Sequence, residues 1–114
     1  MKRIRILIGS MPRILRQIIE SALESEPDML LVDRCGDVDL AAAVKQRVPN
    51  VVIVADVTGD TAPSHEKLLI DNPELKIFVV SDDGRSGHLL EFRRLPVARM
   101  SPEGLITAIR AAVA

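Results

Sequence analysis

The sequence predicts a doubly wound α/β fold with five parallel strands in the order 2-1-3-4-5 and helices on both faces. Three observations lead there. The run Val51-Val52-Ile53-Val54 holds four β-branched residues in succession between Pro49 and Gly59. It is too short for a helix of its own and has the composition of a strand buried on both faces of a parallel sheet. Apolar runs of strand length alternate with stretches of helical period along the whole chain, the mark of successive βα units. With 114 residues, one domain spanning 1–114 is the expected organisation, and the common five-strand order places the first and third strands side by side.

Each element has its own justification. Ile4 to Ile8 is an apolar first strand. Gly9-Ser10-Met11-Pro12 makes a turn into a helix, with Pro12 suited to its first position. Ile14, Leu15, Ile18, Ile19, Ala22 and Leu23 recur on one helical face, and Glu26-Pro27-Asp28 ends the helix. Met29 to Val32 is a second strand. Gly36-Asp37 turns the chain, and Asp37 can cap a helix bearing Leu40, Ala41, Val44 and Val48. After the central strand, Thr58 to Pro63 is a polar loop, and a helix with Leu68 and Leu69 stops at Asn72-Pro73. Lys76 to Ser81 is the fourth strand. His88 to Arg94 fits a helix of only about two turns. Leu95 to Met100 is a weak fifth strand whose Pro96 suits a sheet edge. Ser101-Pro102-Glu103 opens the last helix with a capping serine, a proline and a first-turn acid, and Leu105, Ile109, Ala112 and Val113 form its buried face.

Composition narrows the function. The formal net charge is -1, with no Trp or Tyr and only two Phe. That argues against electrostatic attraction to nucleic acid or membrane and against base stacking on an aromatic platform. A single cysteine, Cys35, excludes an internal disulfide and a multi-cysteine metal site. No run reaches transmembrane length and no signal peptide is evident, so a cytoplasmic protein is expected.

The order and spacing of several phrases resemble the receiver domain of bacterial two-component response regulators. The resemblance is closest to receivers linked to helix-turn-helix output domains and spans nearly the whole chain. It rests on Ile6-Leu7-Ile8, Leu23-Glu24-Ser25-Glu26-Pro27-Asp28 and Pro49-Asn50-Val51-Val52-Ile53-Val54. Asn72-Pro73-Glu74 to Val79-Val80-Ser81 and Ser101-Pro102-Glu103-Gly104-Leu105 add to it. A working receiver, the resemblance implies, places two Mg²⁺-holding acids after its first strand, positions that fall here on Ser10 and Met11. Its phospho-accepting aspartate falls on Ala55, its Thr or Ser after the fourth strand on Ser81, and its lysine on Ala98 or Arg99. Only the hydroxyl survives, so the sequence resembles a degenerate receiver, a pseudo-receiver.

Phosphoryl transfer to a carboxylate needs a divalent ion to neutralise developing charge, and Mg²⁺ takes hard oxygen ligands. A hydroxyl and a thioether do not supply these, and an alanine cannot accept a phosphoryl group. Asp56 is one residue on, and one step along a strand turns a side chain to the opposite face. A bulge could re-aim it, so a conventional switch using Asp56 is the alternative reading. A flavodoxin-like domain holding a small ligand between Ser10, Ala55 and Ser81 is another. The expected function is a non-enzymatic signalling module without metal or cofactor, acting through a protein partner or as a homodimer, with an output domain that binds DNA following the chain. His65 and His88 read as surface residues, and Asp82-Asp83-Gly84 as a turn. If His88 to Arg94 is a short helix, one face cannot bury Leu89, Leu90, Phe92 and the neighbouring Leu95 together. The expected interaction surface is therefore Leu89, Leu90 and Phe92, rimmed by Arg93 and Arg94.

Overall fold

The computed structural model describes residues 3–34, 40–56, 62–72, 74–81, 85–90, 94–96 and 101–113. The elements are β1 (Ile4–Ile8), α1 (Arg13–Glu24), β2 (Met29–Arg34), α2 (Leu40–Arg47), β3 (Val51–Asp56), α3 (Ala62–Asp71), β4 (Lys76–Ser81), β5 (Gly87–Leu90), β6 (Arg94–Pro96) and α4 (Pro102–Val113). The sheet runs β2-β1-β3-β4-β5-β6, so its first five strands keep the 2-1-3-4-5 order. β1 pairs parallel with β2 and β3, and β3 pairs parallel with β4.

The central strand behaves as its composition requires. Val51, Val52, Ile53 and Val54 are all essentially inaccessible to solvent. Strand alternation deals them to two cores. Val51, Ile53 and Ala55 pack with Leu15, Ile19 and Leu23 of α1 and Leu105, Ile106 and Ile109 of α4. Val52 and Val54 pack with Leu40 and Val44 of α2 and Leu68 and Leu69 of α3. Helices therefore cover both faces. Each fully buried Val, Ile or Leu contributes about 1.5–3 kcal/mol of transfer free energy.

Local chemistry fixes the element ends. Ser101 caps α4 by accepting a hydrogen bond from the Gly104 amide at 3.0 Å. Asn72 closes α3, its amide and its side-chain nitrogen both donating to the Leu68 carbonyl. At α1, Pro12 is the cap itself rather than the first helical residue, and no side chain caps the helix. In β2, Ile6 pairs with Leu31 but Leu7 with Asp33, so Val32 is an extra, bulged residue. Val48, just past α2, adopts a left-handed conformation at φ 48.

The region after β4 departs from expectation. The segment predicted as a short fourth helix holds the antiparallel strand β5, with Phe78 opposite Leu89 and Ile77 opposite Leu90. The two strands meet at one end, where the Ser81 amide donates to the Ser86 carbonyl at 2.7 Å. A strand also solves the burial problem that a helix could not. Leu89 packs against the α1–α4 core and Leu90 against the α2–α3 core, both half-buried. A helix confined to His88 to Arg94 is too short to nucleate well, so the pairing energy of the hairpin decides. β6 is antiparallel to β5 and hence parallel to β4, the direction expected of the last strand, but β5 separates the two. Pro96 lies on the outer edge as expected.

Candidate functional site

In open α/β sheets the crevice for chemistry lies beyond the carboxyl ends of the strands, where the order reverses. Here that place lies between β1 and β3. Their ends are joined by backbone hydrogen bonds, from Gly9 N–H to the Ile53 carbonyl at 2.8 Å and from Ala55 N–H to the Ser10 carbonyl at 3.1 Å. The two strands close tightly because residue 9 has no side chain. A Cβ at Gly9 would stand 2.6 Å from Cγ1 of Val54, well inside van der Waals contact. The sequence shows a lone glycine after a strand, and that position was the only signal of this close approach.

The expected site residues distribute unevenly around this junction. Ser10 is half-buried and gives its carbonyl to β3. Met11 is partly buried and packs its side chain against the α1–α4 core. Ala55 is 5% exposed within that same apolar cluster. Asp56 ends β3 and is paired in register with Ser81, the last residue of β4; the Asp56 side chain lies outside what the structure describes. The Ser81 hydroxyl accepts a hydrogen bond from the Ser86 amide at 3.1 Å. Ser10, Met11, Ala55 and Ser81 thus sit on strand ends of one rim, whereas Ala98 and Arg99 lie outside the described residues. Among the described residues no cluster of three His, Cys, Asp or Glu could hold a metal ion.

The expected interaction surface is corrected in part. Leu89 and Leu90 point to opposite faces of a strand instead of lining one helical face. Phe92 and Arg93 lie outside the described residues, and Arg94 is described only as backbone at the start of β6. Among the described residues, the large apolar side chains that are exposed are Ile14, Ile18, Leu30, Val48 and Ile70.

Three arginines make ion pairs between elements on the described surface, among them Arg47 of α2 with Asp33 of β2 at 3.5 Å. Arg34, at the end of β2, is bonded to Glu20 of α1, with Arg16 one turn away on the same carboxylate. Arg110 of α4 forms a two-point contact with Asp28, Nε to Oδ2 and a terminal nitrogen to Oδ1, each at 3.0 Å, and also reaches Glu26. The Arg110 hydrogen bond holds the Asp28 carboxyl below the usual carboxylate range, and Asp28 raises the guanidinium further still. This contact ties the last helix to the α1–β2 turn, away from the strands' carboxyl ends.

No protein-family model matches the sequence, and no curated protein matches it. Solved structures do. One is the isolated REC domain of RcsB from Salmonella enterica serovar Typhimurium, determined in the presence of phosphomimetic BeF3-. It aligns with a TM-score of 0.61 and 19% identity, covering 70% of this chain and 62% of that one. The response regulator domain of CheB from Thermotoga maritima aligns with a TM-score of 0.59 and 20% identity, over 70% of this chain and 61% of that one. The fold is that of a response-regulator receiver. In both cases the aligned part is less than two thirds of the matched chain's length. The receiver fold supplies the rim between β1, β3 and β4, and this chain fills that rim with Gly9, Ser10, Met11, Ala55 and Ser81.

Proposed function

We propose that the chain is a pseudo-receiver: a single receiver-like signalling domain that works without phosphorylation and acts through protein contacts. The observation that carries this is Ala55. It is the last residue but one of the central strand, at the place where the resemblance puts the phospho-acceptor of receivers, and it is buried in the apolar α1–α4 cluster and offers no carboxylate. Met11, at the position of a metal-holding acid, is turned into the same apolar cluster. Neither residue can supply the hard oxygen ligands that Mg²⁺ takes. The module is proposed to be a non-enzymatic cytoplasmic protein that takes no metal or cofactor and passes its signal to a protein partner or a DNA-binding output domain.

The competing reading uses Asp56, whose backbone lies beside Ser81, as a displaced acceptor. Incubation with acetyl phosphate and Mg²⁺, followed by intact-mass measurement, separates the two. The pseudo-receiver leaves the mass unchanged. One added phosphoryl group that disappears in Asp56→Asn would replace this proposal with the conventional switch.

A further inference from the structure

Ile14 and Ile18 occupy successive turns of α1 and are 73% and 48% exposed. Ser21 and Ser25 continue the same stripe, at spacings of four, three and four residues, the repeat of a helix–helix seam. The buried line Leu15, Ile19 and Leu23 lies on a different side of the helix, so the stripe is not part of the domain's own core.

We infer that this face of α1 pairs with α1 of a second copy, antiparallel, about a two-fold axis. Two features of the helix select that occupant. The stripe is large and apolar in its first half, and small and polar in its second. Antiparallel seam packing sets Ile14 against Ser25 of the other copy and Ile18 against Ser21, large on small, and the two-fold repeats both contacts. The charges are polarised as well. Arg13 begins the helix and Glu24 ends it, both exposed and both on the flank that carries Gln17. α1 has no acid in its first turn and no base in its last, so this order opposes its own dipole. An antiparallel neighbour reverses that penalty, because it brings the arginine of each copy alongside the glutamate of the other and opposes the two helix dipoles. A parallel neighbour would leave each arginine away from the other copy's glutamate.

The helix has 12 residues and is about 18 Å long, so an interface built on it falls in the small, transient class. The inference deepens the pseudo-receiver reading by naming its partner as a second copy, and such a dimer forms regardless of Mg²⁺ and acetyl phosphate.

Sedimentation equilibrium of the protein at low salt, from micromolar to millimolar, tests it. A reversible monomer–dimer equilibrium is expected. Ile18→Glu should raise the dissociation constant at least about tenfold, and the milder Ile14→Ser should also raise it. Arg13→Glu should weaken the dimer several-fold, and Arg13→Glu combined with Glu24→Arg should restore it. Circular dichroism and the urea midpoint verify that each variant is folded. A protein that stays monomeric at millimolar concentration overturns the inference, as does a dimer indifferent to Ile18→Glu or a charge swap that fails to recover. Those results leave the pseudo-receiver reading standing, since the mass measurement alone decides phosphorylation.

Discussion

Replacing Gly9 by alanine probes the junction on which the candidate site is built. The new Cβ would lie 2.6 Å from Cγ1 of Val54. Val54 is 1% exposed in the central strand, and its β-branched side chain has little rotamer freedom with which to withdraw. Overpacking of this kind costs about 1–3 kcal/mol. Losing a glycine from the unfolded chain returns about 0.4–1 kcal/mol. The net expectation is a loss of about 1–2 kcal/mol. Val54→Ala alone should cost about 1–3 kcal/mol through the cavity it leaves. In the double variant the alanine methyl at residue 9 occupies part of that cavity. The combined loss should then fall short of the sum of the single losses by about 1 kcal/mol or more. Urea denaturation of the four proteins measures this, with an unchanged m-value as the condition for comparing them. Additivity to within about 0.3–0.5 kcal/mol, the range for independent sites, would falsify the claim that β1 and β3 close because residue 9 lacks a side chain.

Three further perturbations have definite outcomes. Val48→Gly should stabilise the protein by about 1 kcal/mol in a thermal melt, because a β-branched residue at φ 48 bears a left-handed penalty of about 1–2 kcal/mol that glycine escapes, less glycine's greater chain entropy. Asp28 has a depressed carboxyl pKa in the folded state, so its contact with Arg110 adds stability above the ordinary carboxylate range, and that contribution disappears as pH falls through the folded value; melts between neutral and strongly acidic pH should show an acid-side loss that Arg110→Met diminishes. Ala55→Asp should cost about 3 kcal/mol or more by placing an unpaired charge in an apolar cluster, and intact-mass measurement should show that it gains no phosphoryl group, since Ser10 and Met11 still supply no metal.

The fold was legible wherever burial alone dictates structure. Val51 to Val54 could only be a central strand, and Ser101 with Pro102 could only open a helix. The segment after Ser81 was not legible, because its two leucines suit either a helix or a strand and the decision rests on a tertiary contact. Pairing with Phe78 and Ile77 becomes available only once the chain returns to bond Ser86 to Ser81. At the site, Ser10, Met11 and Ala55 were named by the resemblance alone; the structure puts Ser10 and Ala55 at the β1–β3 junction and packs Met11 against the α1–α4 core. The constraint at Gly9 depends on the distance between two strands far apart in sequence, which residue type alone does not encode. The exposure of Ile14 and Ile18 was hidden for a related reason. Helical periodicity groups them with Leu15 and Ile19 on one broad face, and only the position of the sheet shows which half of that face is covered.

The bulge at Val32 and the proline at residue 96 have a shared consequence for how copies of this chain can meet. An open sheet ends in two edges, each a template for adding strands without limit. On one side, β2 is kinked by its extra residue and ends in Asp33 and Arg34, both ion-paired to helices of their own chain. On the other, β6 is three residues long and includes a residue with no N–H to donate. Among the described residues neither edge offers a long, flat ladder to a neighbouring sheet, which disfavours strand-by-strand polymerisation from both ends. Self-association is left to the helical surfaces, where a two-fold contact closes after a single partner.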